Sequence, residues 1–204
     1  MSEKLHRYQL DVENLENPAI IRKLFSGVKW AWIWLPIRVY LGVMWLNAGW
    51  GKITNPAWVG SGAGSALSGF VQNALTKTSG AHPDVQGWYA SFLKQIVLTH
   101  TTLWSYMVAF GETLVGVALI LGIFTGVAAL FGVFMNESYL LAGSVSVNPI
   151  MLMLAVLTVL AWKVAGWWGF DRWLLPILGT PWKPGPVFNR PKGSLHQKRA
   201  SQPM

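Results

Sequence analysis

Apolar runs broken by short polar stretches set the architecture along this chain. The first, Trp30 to Lys52 (WAWIWLPIRVYLGVMWLNAGWGK), belongs to a span of about 30–53 and has the length needed to cross a bilayer. Three more follow at about 103–122, 126–147 and 150–168. Gly122 and Gly126 enclose only Ile123, Phe124 and Thr125, so the second and third runs predict an antiparallel helical hairpin. Asn148-Pro149 marks a tight turn into the fourth. The connection 54–101 has helical periodicity of its own. Leu67, Phe70, Val71 and Leu75 recur at helical spacing after the glycine-rich GSGAGS, and Trp88, Tyr89, Phe92, Leu93, Ile96 and Val97 do so after His82-Pro83. The expectation is an all-α integral membrane four-helix bundle, with two short amphipathic helices in the outer loop between spans one and two.

The flanks of the runs give the orientation. Residues 1–29 lack the basic start and small-residue cleavage site of a signal peptide and read as a cytoplasmic arm, in which AIIRKLFSGVKW fits a helix lying on the membrane surface. The tail 173–204 is rich in proline and basic residues and favours an extended or disordered end, which leaves 30–172 as the membrane domain. Counted with Arg172, the two terminal segments hold eleven Lys or Arg, whereas the long connection holds only Lys77 and Lys94. Both termini of a plasma-membrane protein are then expected on the cytoplasmic side, which requires an even number of spans. The net charge of +8 is accounted for by these flanks and not by nucleic acid.

Composition narrows the chemistry. With no cysteine, the chain has no thiol nucleophile, no c-type haem attachment, no cysteine-ligated iron–sulfur cluster and no disulfide. The histidines do not pair across spans at a common depth, so neither haem nor a metal site is expected; His82 and His100 read as solvated loop residues. Most of the tryptophans, including Trp30, Trp32, Trp34, Trp50, Trp104, Trp167, Trp168 and Trp173, sit where an interfacial belt anchors helices. Trp45 differs because it shares a helical face with a charge.

That charge is Arg38, inside the first run. At 100° per residue Arg38, Gly42, Trp45, Gly49 and Lys52 form one stripe, and Asn47 faces the opposite way. With a rise of 1.5 Å per residue, Arg38 lies roughly 12 Å from the cytoplasmic face, Glu112 and Glu137 roughly 15 Å, and Lys163 roughly 8 to 10 Å. Four helices thus each place one ionisable residue near a common layer, two positive and two negative. The expectation is a buried network in which Arg38 bridges Glu112, Glu137 or both. Such a network either fixes register in a small bundle or does chemistry, while Lys163 is shallow enough to snorkel to the interface.

In order and spacing these features resemble the DoxX/DoxD family of small four-span membrane proteins over roughly residues 30–180. The resemblance rests on Arg38, Gly42, Trp45, Gly49, Trp50 and Lys52, on HPDVQGWYASFL, and on Phe110-Gly111-Glu112 followed by Gly116 and LILGIFTG. It continues through Met135-Asn136 with Tyr139, SVNP and GFDRWLLPILGTPW. What it implies is a subunit of a thiosulfate:quinone oxidoreductase, working with a second small DoxA-like subunit or a larger redox complex. No DoxA-like portion is fused to this chain.

Under that resemblance, two thiosulfates give tetrathionate and release two electrons, and a quinone takes up two electrons and two protons. Arg38 and Lys52 would supply positive charge for the small anionic donor. Trp45, with Lys52 and Asn136, would bind the flat quinone, and Glu112 or Glu137 would pass protons. Arg38, Glu112 and Glu137 are the catalytic candidates. Two other classes fit the same residues, a non-catalytic membrane subunit that anchors or assembles a respiratory or antioxidant complex, and a small-solute carrier.

Overall fold

Small residues on two apolar runs decide how the main helices meet. In a computed structural model, residues 17–179 are described, and among them every regular element is helical. We number the helices α1 (Ala19–Ser26), α2 (Ala31–Ile53), α3 (Ser65–Leu75), α4 (Gly87–Phe92), α5 (Thr101–Leu121), α6 (Thr125–Leu141), α7 (Asn148–Leu160), α8 (Trp162–Ala165) and α9 (Asp171–Leu178). The most extensive packing is between α2 and α5. A Cβ on Gly42 would stand 2.9 Å from the Ile120 nitrogen, and one on Gly116 would stand 2.5 Å from the Leu46 nitrogen, so the two backbones approach as closely as glycine allows. The stripe read from the sequence is the face that makes this contact: Arg38, Gly42, Trp45 and Gly49 are buried, and Asn47 is exposed.

Helices α6 and α7 form the second extensive pair, and α5 turns into α6 through the predicted hairpin. Leu41, Trp45, Val115, Leu119, Ala128, Ala129, Met151 and Ala155, drawn from all four helices, make the central core. A second core is built by the connection 54–101: Leu67, Val71, Ala74, Val85, Tyr89, Ala90, Leu93 and Val97 close around Ala142 at the end of α6. At the opposite end, α1 rests through Leu24 and Phe25 on Trp34, Ala161, Val164 and Ala165. The Trp34 indole N–H donates to the Leu24 carbonyl at 2.9 Å.

Several sequence-based boundaries change. The second outer helix is not separate: α4 continues through a π turn (Leu93–Val97) and a 3-10 turn (Leu98–His100) into α5, giving one 35-residue helix, Gly87–Leu121. Helix α6 stops at Leu141 instead of 147, because Gly143 takes the left-handed conformation (φ 70°) that ends helices. The fourth run breaks at Ala161, and the chain folds back so that Gly169 lies against the α5–α6 turn; a Cβ there would be 2.8 Å from the Gly122 Cα. The stretch 173–178, expected to be extended, belongs to α9. The arm 1–16 and the tail beyond Gly179 lie outside the described residues.

Among the described residues Gly87–Leu121 is the one helix long and apolar enough to cross a membrane. Helix α2 has 23 residues but is diluted by Arg38, Asn47 and Lys52. Helices α6 and α7 have 17 and 13 residues, roughly 26 and 20 Å at 1.5 Å per residue against a hydrocarbon core of about 30 Å.

Candidate functional site

Among the described residues two charged places occur in the interior, and they are separate. The first is a clamp on the α5–α6 turn. Arg38, 1% exposed, reaches from α2 to the last carbonyls of α5, donating from Nη1 to Leu119 at 2.6 Å and Ile120 at 2.9 Å, and from Nη2 to the Trp168 carbonyl at 3.2 Å. Carbonyls of the last helical turn have no intrahelical donors, and a cation there also opposes the negative end of the helix dipole. Asp171 does the converse for α6. Its carboxylate accepts from the Phe124 N–H at 2.6 Å and the Thr125 N–H at 2.8 Å, the orphan donors at a helix start. Phe124 holds a left-handed φ of 46°, which is costly for a bulky residue, and the Asp171 bond to its nitrogen fixes it there.

The expected bridge from Arg38 to Glu112 or Glu137 is therefore absent. Depth was read from residue counts, and Arg38 lies level with the C-terminal turn of α5, about two turns beyond Glu112. Backbone carbonyls, invisible as charges in a sequence, take its place. Glu137 is also corrected: its side chain is exposed on the outer side of α6. Lys163 is exposed, near the Trp162 ring at 5.8 Å.

The second place is built around Glu112, also 1% exposed, on the inner face of α5. Lys52, 18% exposed, folds back along α2 and pairs with its Oε2 at 2.6 Å. The Tyr139 hydroxyl, from α6, donates to Oε1. A buried carboxylate is retained at low cost only when both oxygens are satisfied in this way. The Lys52 ammonium also stands 5.1 Å from the Trp58 ring centre, a favourable place for a cation, and Phe70 of the cap meets the Tyr139 ring edge-on at 6.0 Å. The cluster thus lies on the side of the bundle that the 54–101 connection covers.

Trp45 and Asn136 join this region. Gly111 faces Met135 across the hairpin, which sets Glu112 and Asn136 at the same level of α5 and α6. Asn136 is fully buried, one turn before Tyr139, and neither end of its amide has a hydrogen-bond partner. One turn earlier on α6, the Trp45 Nε1 lies 3.0 Å from where a Gly132 Cβ would stand, also without a partner. Of the residues singled out from the sequence, Glu112, Lys52, Trp45 and Asn136 fall in one region, and Arg38 and Glu137 fall elsewhere. Sequence reasoning gave no role to Tyr139 or Asp171. The signal for Tyr139 was its spacing of three from Asn136; for Asp171 it was a lone acid beside tightly spaced glycines.

The chemical capacity of the Glu112 region is specific. An acid in contact with an amine and a phenol brings together three groups of the kind that can pass protons, and the neighbouring amide and indole offer two donors and an acceptor in an apolar, aromatic setting. The clamp has no comparable capacity, since most of its polar atoms are taken by backbone.

In comparisons with known proteins, the model of the DoxX family matches residues 33–142, a stretch that takes in nearly all of α2, the cap, α5 and α6. No curated protein matches the chain, and no solved structure does.

Proposed function

The chain belongs to the DoxX family, a membrane-associated family linked to oxidoreductase functions, and on that premise we propose that it is the membrane-embedded subunit of an oxidoreductase that reduces quinone. The observation that carries the proposal is the buried Glu112 carboxylate held between Lys52 and the Tyr139 hydroxyl, beside an amide and an indole with no partners. Reduction of a quinone consumes two protons along with two electrons. Glu112 and Tyr139 are the groups that pass them, and Lys52, the partly open member, connects them toward the cap.

The residues fit a flat, carbonyl-bearing ring. Trp45 Nε1 and Asn136 Nδ2 are donors for quinone carbonyls, and Asn136 Oδ1 accepts from a quinol hydroxyl, so both redox forms find a partner. The electrons come from a small anionic sulfur donor of the thiosulfate class, two molecules joining through a new S–S bond. A second subunit, DoxA-like or part of a larger redox complex, is the expected site of donor handling, because Lys52 is neutralised by Glu112 and the Arg38 guanidinium is occupied by carbonyls. In this reading Arg38 holds the bundle and Glu137 is a surface residue.

Embedding by all four long helices is part of the proposal. Their outward faces are apolar: Tyr40 and Val43 on α2, Leu103, Met107 and Leu114 on α5, Val127, Phe131 and Phe134 on α6, and Ile150, Met153 and Leu160 on α7 are all exposed. A helix bundle made for water carries polar residues there. Short helices are accommodated by local bilayer thinning, and the charge count of the flanks supports a cytoplasmic placement of both termini.

The test is thiosulfate-dependent quinone reduction in proteoliposomes holding the chain with its co-purified partners, wild type against Glu112→Gln. Activity that Glu112→Gln lowers by about 100-fold supports the proposal. A second reading, a non-catalytic subunit that anchors a redox complex, is favoured by the same fact that closes both cations with internal partners. Absence of quinone reduction from wild-type protein with its partner stably bound would decide for the anchor.

A further inference from the structure

We infer that the end of the molecule formed by α1, α8 and α9 is a recognition surface for anionic phospholipid headgroups. Three observations converge there. The first is charge. Lys23, Lys29, Lys163 and Arg172 are all exposed at this end, and the acid among its described residues, Asp171, is buried with both oxygens accepting backbone N–H groups. The cap end is balanced by contrast, with Asp84 and Glu137 set against Lys77 and Lys94. Outside the described residues, the sequence 180–204 carries five Lys or Arg and no acid, and 1–16 carries two Lys or Arg and four acids.

The second is the kind of side chain between the charges. Ile20, Trp32, Trp168, Phe170 and Trp173 are each more than half exposed. The cations sit beside rings, with Arg172 5.4 Å from the Trp167 centre and Lys163 5.8 Å from the Trp162 centre. Aromatic side chains mixed with Lys and Arg suit the headgroup layer, where one part of the side chain is wet and the other is not. The third is continuity: the surface joins the apolar outer faces of the bundle through exposed Leu121, Phe124 and Leu160, which sets it at the depth where hydrocarbon gives way to headgroups. Helices α1 and α9 are anchored against movement, α1 through Phe25 and Trp34 and α9 through Asp171, so the charges are presented on a fixed platform.

An acidic protein partner would meet the charges but not the interleaved apolar aromatics that run into the lipid-facing helices. Phosphatidylglycerol or another anionic phospholipid meets both, through its phosphate and its acyl chains. The inference rests on the bilayer placement proposed above and is independent of any redox activity.

The test uses the full chain purified in neutral detergent and titrated with short-chain phosphatidylglycerol or phosphatidylcholine, reading tryptophan fluorescence. The expected result is binding of phosphatidylglycerol at least about tenfold tighter than phosphatidylcholine, with the preference lost at high salt. In the variant Lys23→Gln, Lys29→Gln, Lys163→Gln, Arg172→Gln the preference should fall to within about twofold, whereas Lys94→Gln at the opposite end should keep it. Equal binding of the two lipids by wild-type protein would overturn the inference. So would retention of the preference in the quadruple variant. Because no quinone or sulfur donor is present, loss of this binding leaves the redox proposal standing, and loss of redox activity leaves this surface standing.

Discussion

Arg38 and Glu112 are equally buried, yet they differ in what satisfies them. At the clamp, charged side chains meet backbone: the Arg38 guanidinium takes carbonyls of α5 and of Trp168, and the Asp171 carboxylate takes N–H groups of α6. Backbone amides do not titrate, so this arrangement suits holding a turn. At the cluster, side chains meet side chains, Glu112 with Lys52 and Tyr139, and each member is an ionisable group. Burial and charge alone do not mark a reactive site; the chemical type of the partner separates the two.

The comparison can be broken most directly at the clamp. Arg38→Ala removes the one cation facing three carbonyls and leaves Asp171 nearby without its counter-charge. A loss of about 3 to 5 kcal/mol in unfolding free energy is expected, measured by thermal unfolding in detergent; a variant as stable as wild type would mean that the clamp holds nothing. Glu112→Gln comes next. It should lower quinone reduction by about 100-fold, close to 2.7 kcal/mol, and a helical signal like that of wild type would separate this from misfolding. Lys52 is part-exposed and can turn to solvent, so stability should fall less than at Arg38.

Tyr139→Phe keeps the ring and its contact with Phe70 while deleting one donor to Glu112. An activity loss of about tenfold is expected, roughly 1.4 kcal/mol, and an unchanged rate would remove the phenol from the proton path. The smallest effect belongs to Glu137→Gln, because its side chain faces outward; stability should stay within about 0.5 kcal/mol and activity should not change. A large loss there would restore the second glutamate as a candidate.

These differences explain how much could be read from the sequence. The stripe Arg38, Gly42, Trp45, Gly49 was legible because helical periodicity fixes which residues share a face, and the α5–α6 hairpin because three residues between two glycines leave no other path. Glu112 was legible as an ionisable residue in an apolar run. The partners of Arg38 were not. Residue counting gives a depth along each helix but neither the offset between helices nor the direction of a long side chain, and carbonyls carry no mark in the sequence. Lys52 reached Glu112 by folding back one turn, a rearrangement that its four-carbon stem permits and a depth count ignores. Glu137 lies next to Asn136 in the chain but about 100° around the helix, enough to turn one outward while the other is buried.

The central claim is that the reactive site is the Glu112 cluster and that Arg38 serves the fold. The most direct measurement is thiosulfate-dependent quinone reduction in proteoliposomes, normalised to folded protein, for Glu112→Gln and Arg38→Gln side by side. Activity per folded molecule should drop about 100-fold in Glu112→Gln and stay within about threefold of wild type in Arg38→Gln. The reverse pattern, with Arg38→Gln inactive per folded molecule and Glu112→Gln active, would contradict the account.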